Sequence, residues 1–147
     1  MDKIKVTLGS GITTAIRTVD GDEVLTIFAQ LEKRIIGWGF QKGEWNNTYE
    51  TVLESDELPD VIEALAATTT ETDIMLYFEG KRFVGSIRWN NVTGWEKGAK
   101  RYAEGGAGMA AENFGGKKRV FFVKNDDEIG EFVVDGGTWN VTDFEEG

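Results

Sequence analysis

Short apolar runs broken by turns of Gly, Asp and Asn recur along this chain, and they group into three similar stretches: "ITTAIRTVDGDEVLTIFAQLEKRIIGWGFQKGEW", "ALAATTTETDIMLYFEGKRFVGSIRWNNVTGW" and "GMAAENFGGKKRVFFVKNDDEIGEFVVDGGTW". Each opens on a strand of small residues around Ala15, Ala66 and Ala67, or Ala110 and Ala111. An apolar second strand follows, over 24–28, 74–78 or 120–123, then a third strand, and each stretch closes on a tryptophan: Trp45, Trp95 or Trp139. Ala15 to Trp45 spans 30 residues; Ala67 to Trp95 and Ala111 to Trp139 each span 28.

A repeat of this length, with several short strands, small residues on one and aromatics on another, is the signature of propeller blades. The innermost strand of a blade lies where blades crowd around an axis, so Ala, Gly and Thr suit it, while the outer strands accept Phe, Tyr and Trp. Nineteen glycines and a single proline, Pro59, fit many tight turns. The expectation is therefore an all-β chain, one domain over 1–147, with three four-stranded blade-like repeats at about 9–50, 60–98 and 105–147. "SDELPDVIEALAA" has a helical alternative, with Ser55 as a cap and Leu58, Ile62 and Leu65 spaced for one face. Because "DVIEALAATTT" fills the inner-strand slot of the second repeat, strand is favoured there.

Composition narrows the chemistry. The 147 residues contain no cysteine and no histidine, which removes disulfides, thiolate nucleophiles and the commonest general base and metal ligand. An enzyme is not expected, nor a cofactor or a metal. Carboxylates such as Glu104, Glu131 and Asp135 remain as candidate acids and bases, but no pair is singled out. "DGDE" at 20–23 and "NDDE" at 125–128 lack calcium-loop spacing and read as turns. "GSG" at 9–11 and "GGAG" at 105–108 lack the lysine or helix of a phosphate cradle. The three Asn-x-Thr triplets, at Asn46, Asn91 and Asn140, read as turn residues recurring in each blade. The N-terminus, "MDKIKVTLGSG", lacks a signal-peptide pattern, and no segment approaches the ~18 apolar residues that span a bilayer. The expected setting is cytoplasmic or non-classically exported, away from membranes.

Net charge is -10, which disfavours non-specific binding to nucleic acid, but it is unevenly spread. Residues 1–80 carry 6 basic and 15 acidic side chains, 81–124 carry 10 and 3, and 125–147 carry 0 and 8. The basic segment 81–124 interleaves with Phe83, Trp89, Trp95, Tyr102, Phe121 and Phe122, a combination that a single-stranded nucleic-acid groove uses. Against that reading, neighbouring acidic strands cancel linear charge blocks in a sheet protein. Nucleic acid is therefore kept only as a further alternative.

The third repeat resembles a blade of the fucose-binding lectins of the orange-peel mushroom type. The resemblance rests on Ala110 and Ala111, "RVFF" from Arg119, "IGE" from Ile129 and "DGGTW" from Asp135; over the other two repeats it is topological. It implies a six-bladed propeller that binds sugar between adjacent blades. The Arg and Glu of one blade hydrogen-bond the sugar, and aromatics at the turn of the next pack on its apolar face. Carried over, Arg119 and Glu131 are the polar pair. The first two repeats place Leu25 and Met75 at the Arg position and Trp38 and Ser86 at the Glu position, so at most one site per chain is expected. Its aromatic half would come from the first blade of another copy, at Phe40 and Trp45.

Three blades cannot close a ring, whereas two copies make six. A homodimeric, fucose-type sugar-binding protein is therefore the leading expectation. A propeller scaffold that binds protein without sugar is the alternative. In the dimer, "DKIKVTL" would add a strand to the partner's third repeat or act as a clasp, and Glu145 and Glu146 would lie at the rim.

Overall fold

In a computed structural model, residues 5–70, 72–102, 105–124, 128–135 and 138–143 are described, and they form three antiparallel sheets with no helix. In the first, β1 (Ile12–Val19), β2 (Asp22–Leu31) and β3 (Arg34–Gln41) lie in sequence order, and both β4 (Glu44–Trp45) and β5 (Glu50–Glu54) pair with β3. The second repeats this plan. There β6 (Leu65–Thr69), β7 (Asp73–Glu79) and β8 (Phe83–Asn90) are adjacent, and β8 pairs with β9 (Gly94–Lys97) and β10 (Arg101–Tyr102). The third is an unbroken meander of β11 (Gly105–Phe114), β12 (Lys117–Lys124), β13 (Ile129–Asp135) and β14 (Thr138–Asp143). The fourth blade position is thus split in two in the first and second sheets.

Turn chemistry sets the hairpins. Asp20-Gly21, Lys42-Gly43 and Gly115-Gly116 each connect two strands with positive φ at both residues, from 51° to 83°. This is the type I′ geometry whose twist matches that of the flanking strands.

The small-residue strands β1, β6 and β11 are the neighbouring inner strands of successive sheets. Two apolar seams lie between the sheets. Ala15, Phe28 and Leu53 of the first sheet meet Ile74, Leu76 and Trp89 of the second. Met75, Tyr77 and Val84 on the second sheet's other face meet Val120, Phe122 and Phe132 of the third. A strand's alternation places successive residues on opposite faces, so the middle sheet is covered on both faces. One face of each outer sheet has no neighbour within the chain.

Two local expectations change. Residues 55–64 form neither helix nor strand, and β6 begins only at Leu65. The reason is the fully buried Gln30, whose side-chain amide donates to the carbonyls of Glu32, Pro59 and Asp60 and accepts from the Ile62 N–H. Leu58 and Ile62, both 0 % exposed, anchor this linker in the first seam. The described part of "DKIKVTL" forms no strand either. The Thr7 N–H donates to Gln30 O at 2.8 Å, its hydroxyl accepts from the Glu32 N–H at 2.9 Å, and the Gly11 N–H donates to Ile62 O at 2.7 Å. Residues 7 and 11 are therefore fastened to the first sheet and the linker of their own chain. Glu145 and Glu146, expected at the rim, lie outside the described residues, as does Glu104.

Candidate functional site

Arg119 on β12 faces Val133 directly, and Glu131 lies on the diagonal opposite Phe121. Diagonal neighbours on one face are within reach of long side chains, and here the Arg119 guanidinium donates to the Glu131 carboxylate at 3.2 Å. The side chains are 29 % and 10 % exposed respectively, so the carboxylate is the hidden partner and the guanidinium the accessible one. The pair stands on the face of the third sheet that has no neighbour, with Val123 and Ile129 exposed beside it.

Phe40 and Trp45 are cross-strand partners in the first sheet, with ring centroids 5.1 Å apart; Trp38 packs on Trp45 at 5.0 Å. Their face also carries Leu25 and Ile27, with Ile12 and Ile16 exposed at 67 % and 54 %. It is the face turned away from the second sheet. The polar pair and the aromatic pair thus occupy the two unpartnered faces at opposite ends of the chain, and one chain does not bring them together.

Register corrects the repeat alignment. The closing tryptophans sit in rows Leu25–Phe40–Trp45, Ile74–Trp89–Trp95 and Lys118–Val134–Trp139. One residue further along the second strand are Thr26, Met75 and Arg119; three residues back on the third strand are Gly37, Ser86 and Glu131. In the first sheet the positions equivalent to Arg119 and Glu131 are therefore Thr26 and Gly37, and not Leu25 and Trp38, which point to the opposite face. The expectation of no polar pair in the first two repeats stands on this new basis. Gly37 is also closely packed: a Cβ there would come within 3.2 Å of the Phe28 and Thr26 side chains, which would have to yield by a few tenths of an ångström.

The first seam holds a cluster that the sequence reading missed. The Arg17 guanidinium lies 4.9 Å from the Trp89 ring centre and 5.9 Å from that of Trp95, and bonds Glu50 at 2.9 Å. The Trp95 indole N–H donates to the same carboxylate oxygen at 3.2 Å. By the register above, Trp89 and Trp95 occupy the places of Phe40 and Trp45, so an internal cation covers the aromatics that another seam would leave open. Its sequence signal was Arg17 itself, the lone charge in "ITTAIRTV". The second seam is sealed by packing. Tyr77 is 0 % exposed, and burial pushes its phenol up to about 12.

Among the described residues, several charges of the basic segment are paired and two of its rings are buried. Arg88, Lys100 and Arg119 are paired with Asp73, Glu57 and Glu131. Trp89 and Phe122 are buried in the seams. Among the described residues no cluster of ligating side chains could hold a metal ion.

No protein-family model matches the chain, and no curated protein sequence matches it. Solved structures do. The SapL1 lectin in complex with alpha methyl fucoside superposes with a TM-score of 0.68 at 20 % identity, over 96 % of this chain and 50 % of that one. A fucose lectin from Kordia zhangzhouensis in complex with methyl-fucoside gives 0.58 at 17 % identity, over 92 % of this chain and 100 % of that one. The six-bladed β-propeller lectin of Aleuria aurantia gives 0.65 at 14 % identity, over 95 % and 48 %.

The three sheets are blades of a β-propeller. The chain spans about half the length of the SapL1 and Aleuria aurantia chains and the whole of the Kordia zhangzhouensis chain. Its size is thus that of a half-propeller.

Proposed function

We propose that the chain is a carbohydrate-binding, lectin-like protein without enzymatic activity, which takes a fucose-type sugar between blades contributed by two copies. The observation that carries this reading is the placement of the two half-sites. Arg119 with Glu131 stands on the unpartnered face of the third blade, and Phe40 with Trp45 on the unpartnered face of the first. Head-to-tail pairing of two copies brings each polar pair against the other copy's aromatics. It also buries Ile12 and Ile16 of one chain against Val123 and Ile129 of the other. The fucoside complexes of similar fold support the ligand class.

In such a site the guanidinium N–H fork donates to sugar hydroxyls or the ring oxygen, and Glu131 accepts from a hydroxyl while holding the fork in place. The aromatic faces take the C–H side of the pyranose and its methyl group. Neither inner seam offers this set, since one presents Thr26 and Gly37 and the other Met75 and Ser86. Native mass spectrometry with and without L-fucose tests the reading. The expected species is a dimer that gains about one sugar per chain. A dimer that ignores fucose overturns the ligand, and a monomer overturns the shared site.

A further inference from the structure

The first seam has a second opening, at the end of β8 away from Trp89. It is a cavity of about 210 Å³ lined by Leu53, Glu57, Phe83, Ser86, Lys97 and Lys100, together with their neighbours. Phe83 and Ser86 lie three to six residues before Trp89 on β8, which at strand rise puts the cavity roughly 10–20 Å from the Trp89–Trp95 cluster. It is separate from the shared site of the proposed function, and its residues all come from one chain.

Its lining combines features that otherwise occur apart. Phe83 presents an aromatic ring with the Lys100 ammonium 4.9 Å from its centre. Lys100 is held by Glu57 at 3.0 Å, with both side chains more than half exposed, an arrangement that costs little to exchange. Lys97 lines the same wall and is exposed. Ser86 also borders the cavity, but its side chain lies on the Tyr77 face of β8, where its hydroxyl donates to Ala99 O at 2.6 Å. Lys81, Arg82 and Arg101 sit at the same end, in the β7–β8 turn and on β10, with Asp60 and Glu79 as acidic neighbours.

We propose that this cavity binds a carboxylate-bearing sugar residue. The ring stacks on Phe83, and the carboxylate bridges Lys97 and Lys100 in place of Glu57. A neutral sugar would leave the Lys100–Glu57 pair intact and gain from Lys97 only a hydrogen bond to an uncharged acceptor, so discrimination rests on charge.

The test is titration of the whole protein with glucuronic acid at low ionic strength, followed by NMR or calorimetry, with glucose as the neutral control. Expected are saturable binding of glucuronic acid, at least about tenfold weaker binding of glucose, and loss of affinity as salt shortens the Debye length. The Lys97→Gln/Lys100→Gln double variant should weaken glucuronic acid by about tenfold or more and leave fucose binding within about twofold. Equal binding of glucose, no saturable response to glucuronic acid, or unchanged affinity in the double variant each overturn the proposal. So does tight binding of a short oligonucleotide that glucuronic acid fails to displace. Because fucose is read in the same samples, failure here is distinguishable from failure of the shared site.

Discussion

Arg119→Ala removes the partner of a carboxylate whose side chain is 10 % exposed. A buried charge left without its partner costs more than the pair itself is worth, because the desolvation already suffered is no longer offset. The Arg119 side chain is 29 % exposed, so the reverse change, Glu131→Gln, leaves a guanidinium that water can reach. The two single variants should therefore differ. We expect Arg119→Ala to lose about 2–3 kcal/mol and Glu131→Gln about 1 kcal/mol. For a chain of this length these correspond to falls in Tm of about 6–9 °C and 3 °C. The double variant, with no charge left behind, should recover most of the larger loss and melt within about 3 °C of wild type. Differential scanning calorimetry at one fixed protein concentration reads all three, since assembly makes Tm concentration-dependent. A fall below about 2 °C for Arg119→Ala, or a double variant no better than that single one, would refute the claim that Glu131 depends on its partner. Fucose binding separates the roles: all three variants should lose it, the restored double variant included.

Burial, reinforced by the neighbouring Glu63, raises the carboxyl of Glu79 to about 7. The folded chain holds a proton there that the unfolded chain releases, so this contribution is complete below about pH 4.5 and lost as pH rises through about 7. It amounts to about 2 kcal/mol once partial exposure is allowed for, and Glu79→Gln should flatten that part of the chemical-denaturation profile between pH 5 and pH 8. Arg17→Met should cost about 1–2 kcal/mol, change the tryptophan emission of the first seam and leave the oligomeric state alone; an unaltered emission spectrum would count against the cation–aromatic cluster. Ile16→Glu places a charge on an exposed apolar face and should shift sedimentation towards monomer, and a dimer that persists unchanged would rule that face out of the interface.

Architecture was legible in the sequence because propeller blades are written in local signals. The alanines mark β1, β6 and β11, the Asp20-Gly21 and Gly115-Gly116 turns mark hairpins, and the tryptophans close each sheet. What failed was register. Leu25 and Trp38 look as apolar as Met75 and Phe132, and only pairing shows that the first repeat is read one residue out, on the wrong face. The Arg119–Glu131 pair was legible only through the resemblance of "RVFF" and "IGE" to the fucose-lectin blade. Gln30 and Glu50 carried no such mark. Gln30 acts on a linker about thirty residues away, and Glu50 on a tryptophan 45 residues away, and both distances close only when the blades stack.

The three seam positions differ in what the chain must satisfy by itself. A seam within the chain forms on folding, and any polar group there must be satisfied by the chain itself. Arg17 and Glu50 satisfy one another over Trp89, while Met75 and Tyr77 fill the second seam by packing. The faces left unpartnered are under no such demand, and there Arg119 stays accessible. If two copies close over a sugar, each ligand touches both chains and binds only the assembled form. Ligand and assembly are then linked: at a hundred times Kd each site adds about 2.7 kcal/mol to the dimer, or about 5 kcal/mol for the pair. Dissociation on dilution should therefore shift to several-thousandfold lower protein concentration in saturating fucose. Analytical ultracentrifugation across a dilution series measures this directly, and a dissociation curve that fucose does not move would mean that the sugar touches one chain only.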